Sequence, residues 1–169
     1  MDIWHAIKTN NYSFLKNIES LKNTNLQKNR ESILNYAITK NAPIKTIKIL
    51  LKKEANPNEF DSSGRNSLHL ACFENKRIKL VKLFIENGVN MNAKTNKNKT
   101  CLHIACENLK TSIEIIKLLI ENGADINSKT KDNETALHIA CKNQNISFEI
   151  IKLLIENGAD INSKTNKRK

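Results

Sequence analysis

The feature that most constrains this chain is a long internal repeat. Residues 114–130 read EIIKLLIENGADINSKT, and the same letters return at residues 149–165, an offset of 149 − 114 = 35. A weaker copy, LVKLFIENGVNMNAKT, occupies residues 80–95. Repetition at a fixed period of about 20–50 residues is typical of stacked supersecondary units that each pack on their neighbours. The chain is therefore predicted to form an array of units rather than one central core.

A second motif keeps the same period. It reads NSLHLAC at residues 66–72, TCLHIAC at 100–106 and TALHIAC at 135–141. Together the two motifs resemble the ankyrin-repeat family, whose signature T-P-L-H-x-A precedes a second helix and a G-A-D-x-N turn. The resemblance implies an all-α ankyrin-repeat solenoid of helix-turn-helix units with short β-hairpin fingers. Its structural signature residues here are His69, His103, His138, Gly88, Gly123 and Gly158.

The departures from the family pattern predict local adjustments of the same fold. The period is 34 or 35 (103 − 69 and 138 − 103), and the excess over the usual length lies between the two helices, where a longer loop costs little closure entropy. Asparagine, which tolerates positive φ best after glycine, stands where the family favours glycine, at the hairpin turn and near the inter-helix position: Asn98, Asn133, Asn75, Asn108 and Asn143.

The repeat register divides the chain into six segments. Thr100 and Thr135 are predicted to be helix N-caps, because a threonine hydroxyl can accept an amide proton of the first turn. The segments are a degenerate N-terminal capping repeat at 1–25, ankyrin-like repeats at 26–58, 59–92, 93–127 and 128–162, and a basic tail at 163–169 that begins an incomplete repeat.

The two ends of the array carry separate expectations. Trp4 is expected to pack on the next unit, since large aromatic side chains are usually core. Ankyrin stacks need a terminal unit with a polar outer face, which the C-terminal segment lacks. Two hypotheses follow: the array is truncated, or this end docks on a partner or on another copy of the chain. The side chains expected to be partly uncovered are Ile139, Ile150, Leu153 and Leu154.

Three H-x-x-C pairs have a spacing that places both side chains on one helix face. A closed zinc site needs four convergent ligands, and each pair offers two. The resemblance implies instead that the histidine bonds between neighbouring repeats. We therefore predict no metal, no cofactor, no catalytic residue and no enzymatic activity. Stacked helices lie about 8–10 Å apart, too far for disulfides, and Cys101 is expected to be the most exposed thiol.

Composition bounds the compartment. The chain has 169 residues, a net charge of +11 and four cysteines. It has no recognisable secretory signal, and no apolar run approaches the roughly 18–20 residues of a membrane span. These features predict a cytoplasmic protein with free thiols and no membrane partner. The compartment would be a host cytoplasm if the chain comes from an intracellular pathogen or virus.

Lysines cluster at the predicted fingers, at Lys94, Lys97, Lys99, Lys129 and Lys131. Three interpretations are open: a solvated surface in a lysine-rich composition, a site for an acidic protein partner, and a nucleic-acid surface. Arginine suits forked phosphate contacts, but only four arginines occur. The fingers also lack aromatic side chains for base stacking apart from Phe60. Nucleic acid is therefore the least favoured of the three.

The resemblance implies a non-enzymatic protein–protein interaction module. It would bind a protein partner, a host protein in the case of a pathogen or virus, on the concave face of fingers and first helices. The alternatives are nucleic-acid binding by the basic finger edge and a truncated repeat fragment without a present function. The family's variable positions, carried over to this sequence, predict these partner-binding residues: Ser62, Ser63, Arg65, Phe73, Glu74, Asn96, Lys97, Lys99, Glu107, Asn108, Lys131, Asp132, Glu134, Lys142 and Asn143.

Overall fold

A computed structural model describes residues 2–21, 27–28, 31–73, 78–109 and 111–166. Within those ranges the chain forms ten α-helices and one short antiparallel hairpin. In chain order the elements are α1 (Ile3–Lys8), α2 (Tyr12–Asn17), β1 (Gln27–Lys28), β2 (Glu31–Ser32), α3 (Ile33–Thr39), α4 (Ile44–Lys52), α5 (Ser67–Phe73), α6 (Ile78–Glu86), α7 (Cys101–Glu107), α8 (Ile113–Glu121), α9 (Ala136–Lys142) and α10 (Phe148–Glu156).

The helices stack in two layers. The first helices of successive units, α3, α5, α7 and α9, contact one another in that order, and so do the second helices, α4, α6, α8 and α10. Every first helix has seven residues and every second helix nine. The core between the layers is mostly leucine, isoleucine and alanine. The prediction of an all-α repeat solenoid is confirmed. None of the described helices has the length or the apolar character to cross a membrane.

The threonine and histidine of the TCLHIAC and TALHIAC motifs form a reciprocal cap. Thr100 and Thr135 occupy the N-cap positions of α7 and α9, as predicted. The Thr100 amide donates to His103 Nδ1 at 3.1 Å, and the Thr135 amide to His138 Nδ1 at 3.3 Å. Histidine thus takes the place that glutamate or glutamine has in the usual capping box, which explains the spacing T-x-x-H.

The G-A-D-x-N turn joins neighbouring units through its asparagine. Asn92 Nδ2 donates to the Gly123 carbonyl at 3.0 Å, and the Asp125 amide donates to Asn92 Oδ1 at 2.8 Å. Asn127 makes the equivalent pair of bonds to Gly158 and Asp160, at 2.9 and 2.8 Å. The glycines have φ between 71° and 91°, a left-handed conformation that favours glycine after a helix. The G-A-D-x-N turn is therefore a connector between repeats.

The fingers are shorter than β-hairpins. Strand pairing occurs only at Gln27–Lys28 with Glu31–Ser32 in the part of the chain that the structure describes. The later fingers are tight turns, each closed by an amide-to-carbonyl bond across the turn: Asp61 to Arg65, Thr95 to Lys99 and Thr130 to Glu134. Gly64, Asn98 and Asn133 hold the predicted positive φ in these turns. The β-hairpin prediction is thus confirmed for one finger only.

The N-terminal segment contributes a helix pair, α1 and α2. Trp4 packs edge-on against Tyr36 in the next unit, with 5.1 Å between ring centroids. The prediction for Trp4 is confirmed. Ala6, Ile7 and Leu15 are buried, so the segment covers the apolar face of the second unit. Of the expected segments, residues 22–26 and the tail beyond 166 lie outside the described residues.

Three detailed expectations are wrong. Cys101 is buried, because its position at the start of α7 points it toward Met91, whose carbonyl lies 3.1 Å from Sγ. The exposed thiol is Cys141. Asn108 and Asn143 have extended backbones, with φ of −70° and −81°, rather than positive φ. Asn75 lies outside the described residues.

The expectation about the C-terminal face holds for one of the four side chains, Leu153, and fails for the other three. Ile139, Ile150 and Leu154 are buried, and Leu153 is half-buried. Ile150 and Leu154 lie one turn apart on the face of α10 that turns toward its own unit. The uncovered apolar side chains are Ile155, Ile161 and Phe148.

Candidate functional site

The surface that gathers the predicted partner-binding residues runs along the fingers and the C-terminal ends of the first helices. In successive units a finger residue and a helix residue recur at equivalent positions: Arg65 and Phe73, Lys99 and Glu107, Glu134 and Lys142. Each helix residue is the last of its first helix. The fold therefore brings the last finger residue of each unit to the end of the helix that follows it.

The fingers are tied into one ledge. The Asn96 amide donates to the Ser63 carbonyl at 2.9 Å, and the Lys131 amide donates to the Lys97 carbonyl at 3.2 Å. Gly64 has a φ of 72°, and a Cβ there would lie 2.8 Å from the Asn96 backbone nitrogen, so this approach requires glycine. The side chains of Ser62, Ser63, Lys97, Lys131 and Asp132 are exposed on the ledge.

The three finger–helix pairs, Arg65 with Phe73, Lys99 with Glu107 and Glu134 with Lys142, form a ladder. Two of these ladder positions carry an ion pair, and the two ion pairs have opposite sense. Lys99 Nζ lies 2.7 Å from both carboxylate oxygens of Glu107. One repeat later, Lys142 donates to Glu134. The finger residue is the cation in the fourth unit and the anion in the fifth. Both pairs are solvent-accessible, so each contributes little to stability.

The third ladder position has no such pair across the groove. Arg65 Nε bonds to Asp61 Oδ2 within its own finger at 2.8 Å. Phe73, at the helix position, is 61% exposed. Large apolar side chains at this exposure are uncommon in the described part of the chain, where the others include Leu109 and Phe148.

Two cavities open along the ledge. Groove A, between the third and fourth units, has a volume of about 450 Å³. Groove B, between the fourth and fifth units, has a volume of about 290 Å³. Groove A is lined by Ser62, Ser63, Arg65, Phe73, Thr95, Asn96, Lys97, Lys99, Ile104 and Glu107. Groove B is lined by Lys99, Glu107, Leu109, Glu134, Ile139, Lys142 and Asn143.

Most of the predicted partner-binding residues thus meet at grooves A and B. A third cavity, of about 470 Å³, adds Lys131 and Asp132 at the finger tips. Asn108 lines none of these cavities. Its side chain points toward the preceding unit, where its Nδ2 donates to the carbonyls of Cys72 and Phe73 at 3.2 and 2.8 Å. Asn143 makes the equivalent bond to Cys106. Glu74 lies outside the described residues.

Sequence reasoning missed the apolar floor of the grooves. Ile104 and Ile139 are buried beneath grooves A and B, and Leu109 stands at the rim of groove B. The isoleucines are the variable letter of LHIAC, where every copy is apolar. The apolar residue between the histidine and the alanine is therefore the sequence signal that could have predicted the floor, because the H-x-A spacing places this residue on the finger side of the helix.

Two of the signature histidines, His69 and His103, are buried and hydrogen-bonded through both ring nitrogens. His103 Nε2 lies 3.1 Å from the Glu134 carbonyl, and His69 Nε2 lies 3.2 Å from the Lys99 carbonyl. Because His103 Nδ1 accepts from Thr100, the proton belongs on Nε2, which donates to the next finger. Burial lowers the pKa of His69 and His103 below the ordinary value of 6.5. Both rings are therefore neutral connectors near pH 7.

The cysteines are thiols in apolar surroundings. All four are free, and Cys141 is the exposed one. Burial raises the pKa of Cys106 to about 12, and a bond to Cys101, followed by burial, raises the pKa of Cys72. A thiol held protonated is a poor nucleophile and a poor metal ligand. Among the described residues no cluster of three or more potential ligands is close enough to hold a metal ion.

These features define a class: a stack of helix pairs with projecting fingers, in which motif residues join the units and variable residues line grooves beside the fingers. A family model of ankyrin repeats, built on three copies, matches residues 3–95 and again residues 68–165. The chain therefore belongs to the ankyrin-repeat family, whose members are generally protein-interaction modules and typically not enzymes. No curated protein sequence matches the chain closely enough to add a relative.

Proposed function

We propose that this chain is a non-enzymatic module that binds a protein partner along grooves A and B, and that the contacting surface of the partner is acidic. One observation carries the proposal. The side chains that repeat form hydrogen bonds within the stack, as helix caps and as connectors between units. The side chains that vary from unit to unit meet at two open grooves. A surface that varies on a fixed scaffold suits specific recognition.

The charge of the ledge supports the acidic partner. Lys97 and Lys131 are exposed, and neither forms an ion pair with any residue that the structure describes. Such charges attract an oppositely charged surface and raise its association rate. We further place the protein in the cytoplasm, where free thiols persist. Its cysteines are all unbridged.

Nucleic acid fits the same surface less well. Glu107 lines both grooves and Glu134 lines groove B, and each forms an ion pair with a lysine. A phosphate backbone would meet these carboxylates at every step along the ledge, whereas a folded protein can present mixed charges to match them.

Affinity capture from a cell extract at physiological salt tests the proposal. The wild-type chain is compared with Lys97→Glu/Lys131→Glu, which reverses two exposed finger charges that line the cavities and have no described ion pair. A charge-matched control, Lys79→Glu/Lys82→Glu, changes two exposed lysines of α6. We expect a discrete protein with the wild type and the control, and a weak or absent band with the finger variant. Lys99 is left in place because it is paired with Glu107.

A nuclease-treated half of each sample separates the alternatives. Bands that survive nuclease support protein recognition, and bands that disappear would establish binding through nucleic acid. The absence of any specific band would favour a fragment without a present function. Thermal unfolding should be nearly equal for all three proteins, and a large loss for the finger variant would show that Lys97 and Lys131 are structural.

A further inference from the structure

The third unit differs from the fourth and fifth units at one ladder position. Equivalent residues, at offsets of 34 and 35, are Phe73, Glu107 and Lys142 on the helices. Glu107 and Lys142 each form an ion pair with the finger residue of the same unit. Phe73 cannot, so the third unit presents an aromatic ring where the others close the groove with charge.

Phe73 forms the apolar wall of groove A. Its exposed ring and the buried Ile104 both line the cavity, so an apolar surface continues from the rim to the floor. The volume, about 450 Å³, falls within the range of roughly 300–1,000 Å³ that is common for binding sites. Isolated exposed apolar side chains are normal, but this one borders a cavity with an apolar floor.

Cations surround that wall. Groove A is lined by Arg65, Lys97 and Lys99 and by one carboxylate, Glu107, which gives the lining a formal charge of 3 − 1 = +2. Glu107 is already bonded to Lys99. Arg65 uses its Nε for Asp61, and neither of its Nη atoms bonds to a residue that the structure describes. Arg65 and Lys97 are therefore able to accept a carboxylate.

Groove B has neither property. Its lining contains two cations, Lys99 and Lys142, and two carboxylates, Glu107 and Glu134, for a formal charge of zero. It also lacks an aromatic wall. The two grooves share a scaffold and differ in their chemistry, so only groove A selects for acidic character.

We infer that groove A is the anchor subsite of the proposed recognition surface. Its occupant is an extended peptide segment of the partner that places one apolar side chain against Phe73 and Ile104, with an aspartate or glutamate beside it that bonds to Arg65 or Lys97. Aromatic and arginine side chains at the centre of an interface commonly carry most of the binding energy. The inference rests on the proposed function and adds the chemistry of the segment.

A phage library of random linear peptides, selected on the immobilised full chain, tests the inference without a known partner. The selected consensus is expected to contain an apolar residue adjacent to an acidic one. A fluorescein-labelled peptide of that sequence is then titrated by fluorescence anisotropy. We expect Phe73→Glu to weaken peptide binding about tenfold or more. We also expect Lys97→Glu to weaken binding. Added salt should likewise weaken binding of the peptide to the wild type, because salt screens the charge of Lys97.

Phe73→Glu is suited to this test because it copies the chain's own fourth unit, where a glutamate pairs with the finger cation. It should therefore fold, and Phe73→Ser provides a second variant without a new charge. Lys82→Glu, on α6 and away from the groove, is the control for net charge and should bind like the wild type.

Each outcome has one meaning. A consensus without the apolar–acidic pair, or a peptide that binds Phe73→Glu and Phe73→Ser as well as the wild type, overturns the inference and leaves the proposed function standing. Failure to select any binding peptide also overturns it, because an extended segment would have been found. Only failure of the capture experiment bears on the proposed function itself.

Discussion

Residues 114–130 and 149–165 have the same sequence and different surroundings. Each segment contains all but the first residue of a nine-residue helix, and a glycine with φ near 90° follows the helix. Ile116 is completely buried, whereas its counterpart Ile151 is half-buried. Ile126 is half-buried, and its counterpart Ile161 is 68% exposed. The local fold of a repeat follows from its own residues, while its burial depends on the unit beside it.

The connecting hydrogen bonds show the same difference. Asn127 bonds to Gly158 and Asp160 of the following unit. Asn162, at the equivalent position, makes no such bond within the described residues. Because the segments have one sequence, any difference in their stability measures the contribution of the neighbour alone. Such nearest-neighbour terms dominate the energetics of repeat proteins.

The largest expected difference comes from the buried isoleucine. Ile116→Ala should lower the free energy of unfolding by about 3 kcal/mol, because it leaves a cavity between two units. Ile151→Ala should cost about 1 kcal/mol, since the side chain is only partly covered. Urea unfolding of the two variants measures both. Equal losses would show that the neighbouring unit contributes nothing at this position.

The histidine connector should show a smaller difference in the same sense. His103→Ala leaves the Thr100 amide and the Glu134 carbonyl without their partner, at a cost of about 2 kcal/mol. His138→Ala removes the cap of α9 but no described bond to a following unit, at a cost of about 1 kcal/mol. Thermal unfolding compares the two. A greater loss from His138→Ala would contradict the connector role of the ring.

Stability should depend on pH through the buried histidines. The pKa of His69 and His103 is lower in the folded protein than the 6.5 of the free side chain. The unfolded chain therefore binds more protons, and stability rises with pH between the two values. The contribution is complete above pH 6.5 and is lost as the pH falls through the folded pKa. Urea midpoints between pH 7.5 and 5.0 test this.

The second unit supplies the control for that experiment. Asn35 stands at the histidine position, and its Nδ2 donates to the Arg65 carbonyl at 3.1 Å, which reproduces the connecting bond without a titrating group. His103→Asn should therefore fold and reduce the slope of stability against pH. An unchanged slope would assign the pH dependence to other groups.

The last prediction concerns the reactivity of the thiols and involves the smallest expected change in stability. Cys106 and Cys141 stand at equivalent positions, and only Cys141 is exposed. One thiol per chain should react rapidly with a maleimide under native conditions, and three should react only in denaturant. Cys141→Ser should abolish the rapid reaction. Rapid labelling of Cys101 would contradict its burial against Met91.

Much of the scaffold could be predicted because its determinants are local and recur. Thr100 precedes an apolar helical run, so its preference for the N-cap predicts the start of α7. The part of His103 in that cap did not follow from the sequence, which assigned the ring to a bond between repeats. Gly123 and Asn127 recur with the threonine and histidine, and recurrence separates a motif from chance. The register of the array follows from those markers.

The predictions of side-chain exposure that failed depend on which way each side chain points in the folded protein. Ile150 and Ile151 are adjacent and equally apolar, and only the packing of α10 decides that the first faces its own unit and the second faces outward. Cys101 failed for the same reason, since exposure at a variable position depends on what lies opposite. The two ion pairs could have been predicted from the sequence. Lys99 and Glu107 are replaced by Glu134 and Lys142 at the equivalent positions one repeat later, so the two charges change places while the pair is kept. The chemical difference between grooves A and B could not be predicted, because it depends on which side chains line each cavity in the folded protein.

The most direct test of the claim that a unit's stability is set by its neighbour is amide hydrogen exchange, followed residue by residue by NMR. The amides of residues 116–121 and 151–156 have identical local sequences and so identical intrinsic exchange rates. Any difference in rate therefore reports a difference in opening free energy. We predict slower exchange throughout residues 116–121. Equal rates in the two segments would mean that they open together, and would contradict the account.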